Sequence, residues 1–188
     1  MNHQQLPAPD EFHGRAGAEA VSRARRRITV IARRWNVPLS EGALSDVELC
    51  ASEIIANALT HAGSECWVRT QWTGQFLQIE VTDRSLRPPV VSKASPDATS
   101  GRGLALVESF SHGWGWVPKE LGKTVFFIKA DEAVLTSTRR LSALVRTAQA
   151  RIERADDRAC APTSRSQRGR RWPIPIALAS RVSCLGWS

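Results

Sequence analysis

Tyrosine is absent from the 188 residues, methionine occurs once, and lysine occurs only four times against 22 arginines. That bias suggests a GC-rich genome more than a function. No CxxC pair occurs: Cys50, Cys66, Cys160 and Cys184 stand 16, 94 and 24 positions apart, which excludes zinc-ligand spacing and predicts reduced, structural thiols. No stretch approaches the roughly 18 to 20 apolar residues of a spanning helix. The opening MNHQQLPAPDEF has no apolar centre, so no signal peptide is expected. What is present is 42% apolar and 23% charged residues, enough for a sizeable core and for one domain, or one domain plus an appendage. Collagen-like, mucin-like and wholly disordered chains are excluded.

The net charge of +8 is unevenly spread. Residues 1–135 hold 15 basic and 15 acidic side chains, whereas 136–188 hold 11 basic and 3 acidic. A basic chain of this kind invites a nucleic-acid reading, but the neutral part offers no basic face, and an Arg-rich tail is most often solvated.

Apolar residues at spacings of three and four, from Ala20 through Ala24, Ile28 and Ile31 to Trp35, predict an amphipathic helix over 16–35, ended by Pro38. Ser45 and Glu48 have capping-box spacing and predict a second helix from there to about Ala62. Cys66 to Thr73 and Phe76 to Asp83 predict a hairpin; Leu77, Ile79 and Val81 point one way, and Gln78, Glu80 and Thr82 the other. Residues 84–100, rich in Pro and Ser, form a long loop. A short helix from Leu104 to about Phe110 and strands over 114–117 and 124–130 complete the order ααββ, loop, αββ. Leu141, Val145, Ala148, Ile152 and Ala155 predict one more amphipathic helix. The expected organisation is a disordered N-terminus (1–15), a domain (16–131), an appended helix (132–158) and a basic, disordered tail (159–188).

The chemistry-bearing residues cluster around this frame. Glu53, Asn57 and His61 fall at i, i+4 and i+8 on the second helix and form one polar stripe beside Ile54 and Ala58. An isolated E-x-x-x-N is usually a solvated helix face. Asn, however, is a poor interior helix residue, and its carbonyl oxygen suits Mg²⁺ that carries phosphates. Glu53 could act as a general base beside it. Asp83 ends a strand, either as a turn former or as an acceptor for an exocyclic amine. Gly101, Arg102, Gly103 and Leu104 precede a helix whose N-terminal amides could meet phosphate. Neither a Walker loop nor a Rossmann glycine triplet is present, and Gly122-Lys123-Thr124 is too short for a phosphate loop.

In this order and spacing, the segments ELCASEIIANALTHA, VTDRSLRPP, SGRGLALVESF and LGKTVFF resemble the N box, the two glycine boxes and the last strand of the histidine-kinase-like ATPase (GHKL) superfamily, most closely its anti-sigma-factor serine/threonine kinase branch. The resemblance spans about residues 16–130. It departs in the first glycine box, where Ser85 and Arg87 stand at glycine positions. No phosphoacceptor histidine or helical dimerisation domain precedes the N box, so a complete sensor histidine kinase is not expected.

The resemblance implies an α/β fold, a two-layer sandwich of a mixed β-sheet with helices on one face, plus the C-terminal helix and tail. It implies ATP and Mg²⁺ as cofactors, with Glu53 as catalytic base, Asn57 as metal ligand, and Asp83 on adenine N6 assisted by Thr124. Ser85, Gly101, Arg102, Gly103 and Leu104 shape the nucleotide contacts. The implied activity is a cytoplasmic protein serine/threonine kinase that phosphorylates an anti-sigma-factor antagonist and sequesters a sigma factor; two copies could pair. The alternative is a non-catalytic ATP-binding module that acts by sequestration alone.

Overall fold

A computed structural model describes residues 6–17, 19–61, 65–90, 103–131 and 138–159, the last segment with side chains for 142–155. The elements run β1 (Asp10–Arg15), α1 (Ala20–Arg34), α2 (Glu41–His61), β2 (Glu65–Trp72), β3 (Phe76–Asp83), α3 (Gly103–Phe110), β4 (Gly113–Lys119), β5 (Gly122–Ala130) and α4 (Thr138–Ala159). The predicted order is present, with one strand added in front.

That strand replaces the expected disorder over 10–15. Its burial alternates, yet only Phe12 brings an apolar side chain to the helix layer, so the pattern reads as polar. Ladder bonds to β2 hold it, from Asp10 opposite Thr70 to Arg15 opposite Glu65. Arg27 of α1 pairs with Asp10 at 2.9 Å and lays its guanidinium over Phe12 at 4.7 Å.

The two helices differ from expectation at their starts. α1 begins at Ala20 and buries Ala24, Ile28 and Ala32. It closes on Asn36, whose φ of 50° is a left-handed value that asparagine tolerates. α2 begins at Glu41, one turn before the Ser45–Glu48 box, because Ser40 supplies the cap: its Oγ accepts from Ala43 N at 3.1 Å. The added turn buries Leu44. Ser45 instead donates back to the Glu41 carbonyl at 3.0 Å, and Glu48 accepts from the Thr29 hydroxyl at 2.8 Å, which ties α2 to α1.

The sheet order is β1-β2-β3-β5-β4. A mixed sheet was expected, but all four pairings are antiparallel. The chain leaves β3, reaches the far edge through α3, and returns in a β4–β5 hairpin that lays β5 beside β3 in the opposite sense. Val68, Leu77, Ile79, Val81, Trp114 and Phe127 pack beneath α1, α2 and α3.

The other face is also covered. Phe76, Val117, Phe126, Ile128 and Ala130 join Leu144, Val145, Ala148 and Ile152 of α4 in a second core, so the expected appended helix is a third layer of the domain. Gln78, which reads as an outward polar residue, is fully buried under it. Its Nε2 donates to the Ala148 carbonyl at 3.3 Å and to Glu80 Oε1 at 2.9 Å. The tail beyond Ala159, with Cys160 and Cys184, lies outside the described residues.

Candidate nucleotide site

Between α2, the end of β3 and the start of α3 lies a cavity of about 1010 Å³, the size of a small-molecule site. Helical periodicity sends Glu53, Asn57 and His61 into it from α2, with Ile54 and Ala58 forming an apolar floor. Gly103 opens α3 directly against that stripe. A Cβ on it would stand 2.6 Å from Glu53 Oε2 and 3.5 Å from Asn57 Nδ2. The glycine therefore lets the first turn of α3, whose amides have no partner within the helix, approach the two polar side chains.

Asp83 also lines the cavity and is 4% exposed. Its Oδ1 accepts from Ser85 N at 2.7 Å, the short-range turn that Asp forms readily, and this draws Ser85 and the chain after it along the cavity wall. Arg87 also reaches the wall; its backbone N donates to Ser85 Oγ at 3.3 Å.

Of the residues expected in the site, Glu53, Asn57, Asp83, Ser85, Gly103 and Leu104 meet around this cavity. Gly101 and Arg102 lie outside the described residues. Thr124 is a correction. It alternates with Lys123 and Val125, which line the cavity, so its side chain turns to the α4 face and shares a 2.7 Å hydrogen bond with Thr82.

Lys123 is the residue that the sequence reading passed over. It stands opposite Asp83 in the β3–β5 register, donating to Asp83 Oδ1 at 2.8 Å and to the Ser85 carbonyl at 3.3 Å. Gly122 makes this possible: its φ is +147°, and a Cβ there would coincide with the Asp83 carbonyl. The register of two distant strands carries this contact, and no local motif encodes it.

Of the described thiols, neither Cys50 nor Cys66 lines the cavity. Burial pushes Cys50 up to about 12 and Cys66 up to about 11, and both are free, so neither is a thiolate nucleophile near neutral pH. Among the described residues, no three His, Cys, Asp or Glu side chains form a cluster for a metal ion. A cation in the cavity would rest on Asn57 and on oxygens of a bound ligand, a donor set suited to Mg²⁺, which seldom has an all-protein cage.

The sequence profile of the histidine kinase-like ATPase domain matches residues 15–129. That is more than half of the chain, and the chain belongs to this family. The fold is similar to that of the crystal structure of the RsbU and RsbW domains of Rv1364c from Mycobacterium tuberculosis, with a TM-score of 0.50 and 17% identity over 66% of this chain. The match spans only 32% of that protein. A search of curated proteins gives no match. No helix among the described residues is long and apolar enough to cross a membrane.

Proposed function

We propose that the cavity binds Mg-ATP and that the chain is a protein serine/threonine kinase of the anti-sigma-factor type. The observation that carries this reading is the juxtaposition of Gly103 with Glu53 and Asn57. It sets helix-terminal amides, a carboxylate and a hard oxygen ligand around one space, as phosphoryl transfer requires. Membership in the ATPase family and the resemblance of the four boxes to the anti-sigma-factor kinases support the nucleotide and the partner class.

Asn57 would hold Mg²⁺ together with the phosphates, and the bound ion supplies neutralisation of their negative charge. Asp83 and the wall after it receive the base. Glu53 accepts the proton of a substrate serine hydroxyl as its oxygen bonds to the γ-phosphorus and the bond to ADP breaks. The substrate is a serine or threonine on an anti-sigma-factor antagonist; the kinase freed from that antagonist holds a sigma factor, in the cytoplasm where ATP is found.

The test is incubation with Mg-ATP and candidate antagonists, followed by intact mass. A gain of one phosphate on the antagonist is the expected result. Capture of a partner in the presence of nucleotide with no mass gain on any antagonist selects the sequestering module instead.

A further inference from the structure

The Asp83 carboxylate shares its stretch of the cavity wall with a cation. Lys123 and Asp83 both line the cavity, with side chains only 9% and 4% exposed and 2.8 Å apart. The β3–β5 ladder sets them opposite one another, and Gly122, with no room for a Cβ against the Asp83 carbonyl, fixes the approach. The ammonium is therefore placed by strand register.

The pair keeps one acceptor and one donor for a ligand. Asp83 Oδ1 accepts from Ser85 N and Lys123 Nζ, whereas Oδ2 takes no hydrogen bond from the described residues. An ammonium carries three hydrogens, of which two go to Asp83 Oδ1 and the Ser85 carbonyl among the described residues. An anionic acceptor thus stands beside a cationic donor.

We propose that Lys123 is a specificity-determining residue that donates to adenine N1 while Asp83 Oδ2 accepts from the N6 amine. This inference rests on the nucleotide reading above. A lone carboxylate reads the amine alone and is indifferent to the ring atom next to it. The lysine adds the requirement that this atom be an acceptor. Both bonds to adenine are charge-assisted. The O6 and N1–H edge of a 6-oxopurine held in the same way is the inverse of the pair: its carbonyl meets the carboxylate and its N–H meets the ammonium. A site that pairs a ligand group discriminates strongly against an analogue that lacks it.

Calorimetric titration of the full chain with Mg-ATP, Mg-GTP and the Mg complex of 1-deaza-ATP tests this, on the parent and on Lys123→Met. In 1-deaza-ATP a C–H replaces N1 and the N6 amine remains, so only the contact to Lys123 is deleted. The parent is expected to bind 1-deaza-ATP about tenfold or more weaker than ATP, and GTP weaker still. In Lys123→Met, ATP is expected to lose about tenfold or more and to bind within about threefold of 1-deaza-ATP. A parent that binds 1-deaza-ATP or GTP within about threefold of ATP overturns the inference while leaving the nucleotide reading intact, as does a preference for ATP over 1-deaza-ATP that is unchanged in Lys123→Met. If that variant does not fold, the parent's ratios decide. A parent that binds none of the three overturns the nucleotide reading, and this inference with it.

Discussion

Val145 of α4 occupies the space above Gly113 of β4 so closely that a Cβ on the glycine would coincide with Val145 Cγ2. The helix therefore docks on bare backbone, and only glycine at that strand position admits it. Burial of Leu144, Val145 and Ile152 contributes about 1.5 to 3 kcal/mol each, a large part of the roughly 5 to 15 kcal/mol that holds a domain together.

Deletion of 138–188 should consequently unfold or severely destabilise the protein, whereas deletion of 160–188 should leave its urea midpoint nearly unchanged. Gly113→Ala should lower stability by about 1 to 3 kcal/mol through overpacking. Equal midpoints for both truncations would show that α4 is an appendage after all.

Glu80 makes stability depend on pH. Burial raises its carboxyl above the ordinary 4.5, against the attraction of Arg69 of β2 and Lys119 of β4 and with the repulsion of Glu11 of β1. The folded chain thus holds the proton more tightly than the unfolded one. That contribution to folding is fully present below the unfolded value and is lost as pH rises through the folded value. Unfolding free energies measured from about pH 4 to 7 should fall with pH more steeply in the parent than in Glu80→Gln. Parallel curves would remove Glu80 from the account.

Asp83 and Thr124 should part company. Asp83→Asn removes the anionic acceptor proposed to meet the base, and ATP affinity should fall by about tenfold to a hundredfold, at roughly 1 to 3 kcal/mol for an unpaired buried group. Thr124→Val should leave ATP affinity unchanged and cost about 1 kcal/mol of stability, because its partner is Thr82 on the far face of the sheet. A loss of ATP affinity in Thr124→Val would place its hydroxyl in the cavity.

Glu53→Gln retains shape and much hydrogen bonding while removing the proposed base. ATP should still bind, and phosphate incorporation into the antagonist should drop by roughly a hundredfold or more. Transfer at the parent rate would dismiss Glu53 as the base.

The legible parts of the site were those coded by local period. A 3.6-residue repeat sets Glu53, Asn57 and His61 in one stripe, a period of two brings Asp83 to a strand end on the helix side, and a glycine before an apolar run marks the start of α3. What stayed hidden depends on pairing over distance. β1 contains one inward apolar residue and is held by its ladder and Arg27. Gln78 and Glu80 read as a solvated face because the helix that covers them lies some seventy residues further on. Whether Lys123 or Thr124 faces Asp83 is decided by the β3–β5 register, since a shift of one residue exchanges the two faces.

The central claim is that Gly103, Glu53 and Asn57 frame a nucleotide triphosphate site, and calorimetric titration of Mg-ATP into the parent and into Asn57→Ala tests it most directly. The predicted result is stoichiometric binding to the parent that weakens without added Mg²⁺, and a loss of about tenfold or more, with little remaining Mg²⁺ dependence, in Asn57→Ala. Equal affinity and equal Mg²⁺ dependence in the two proteins, or no binding by the parent, would contradict it.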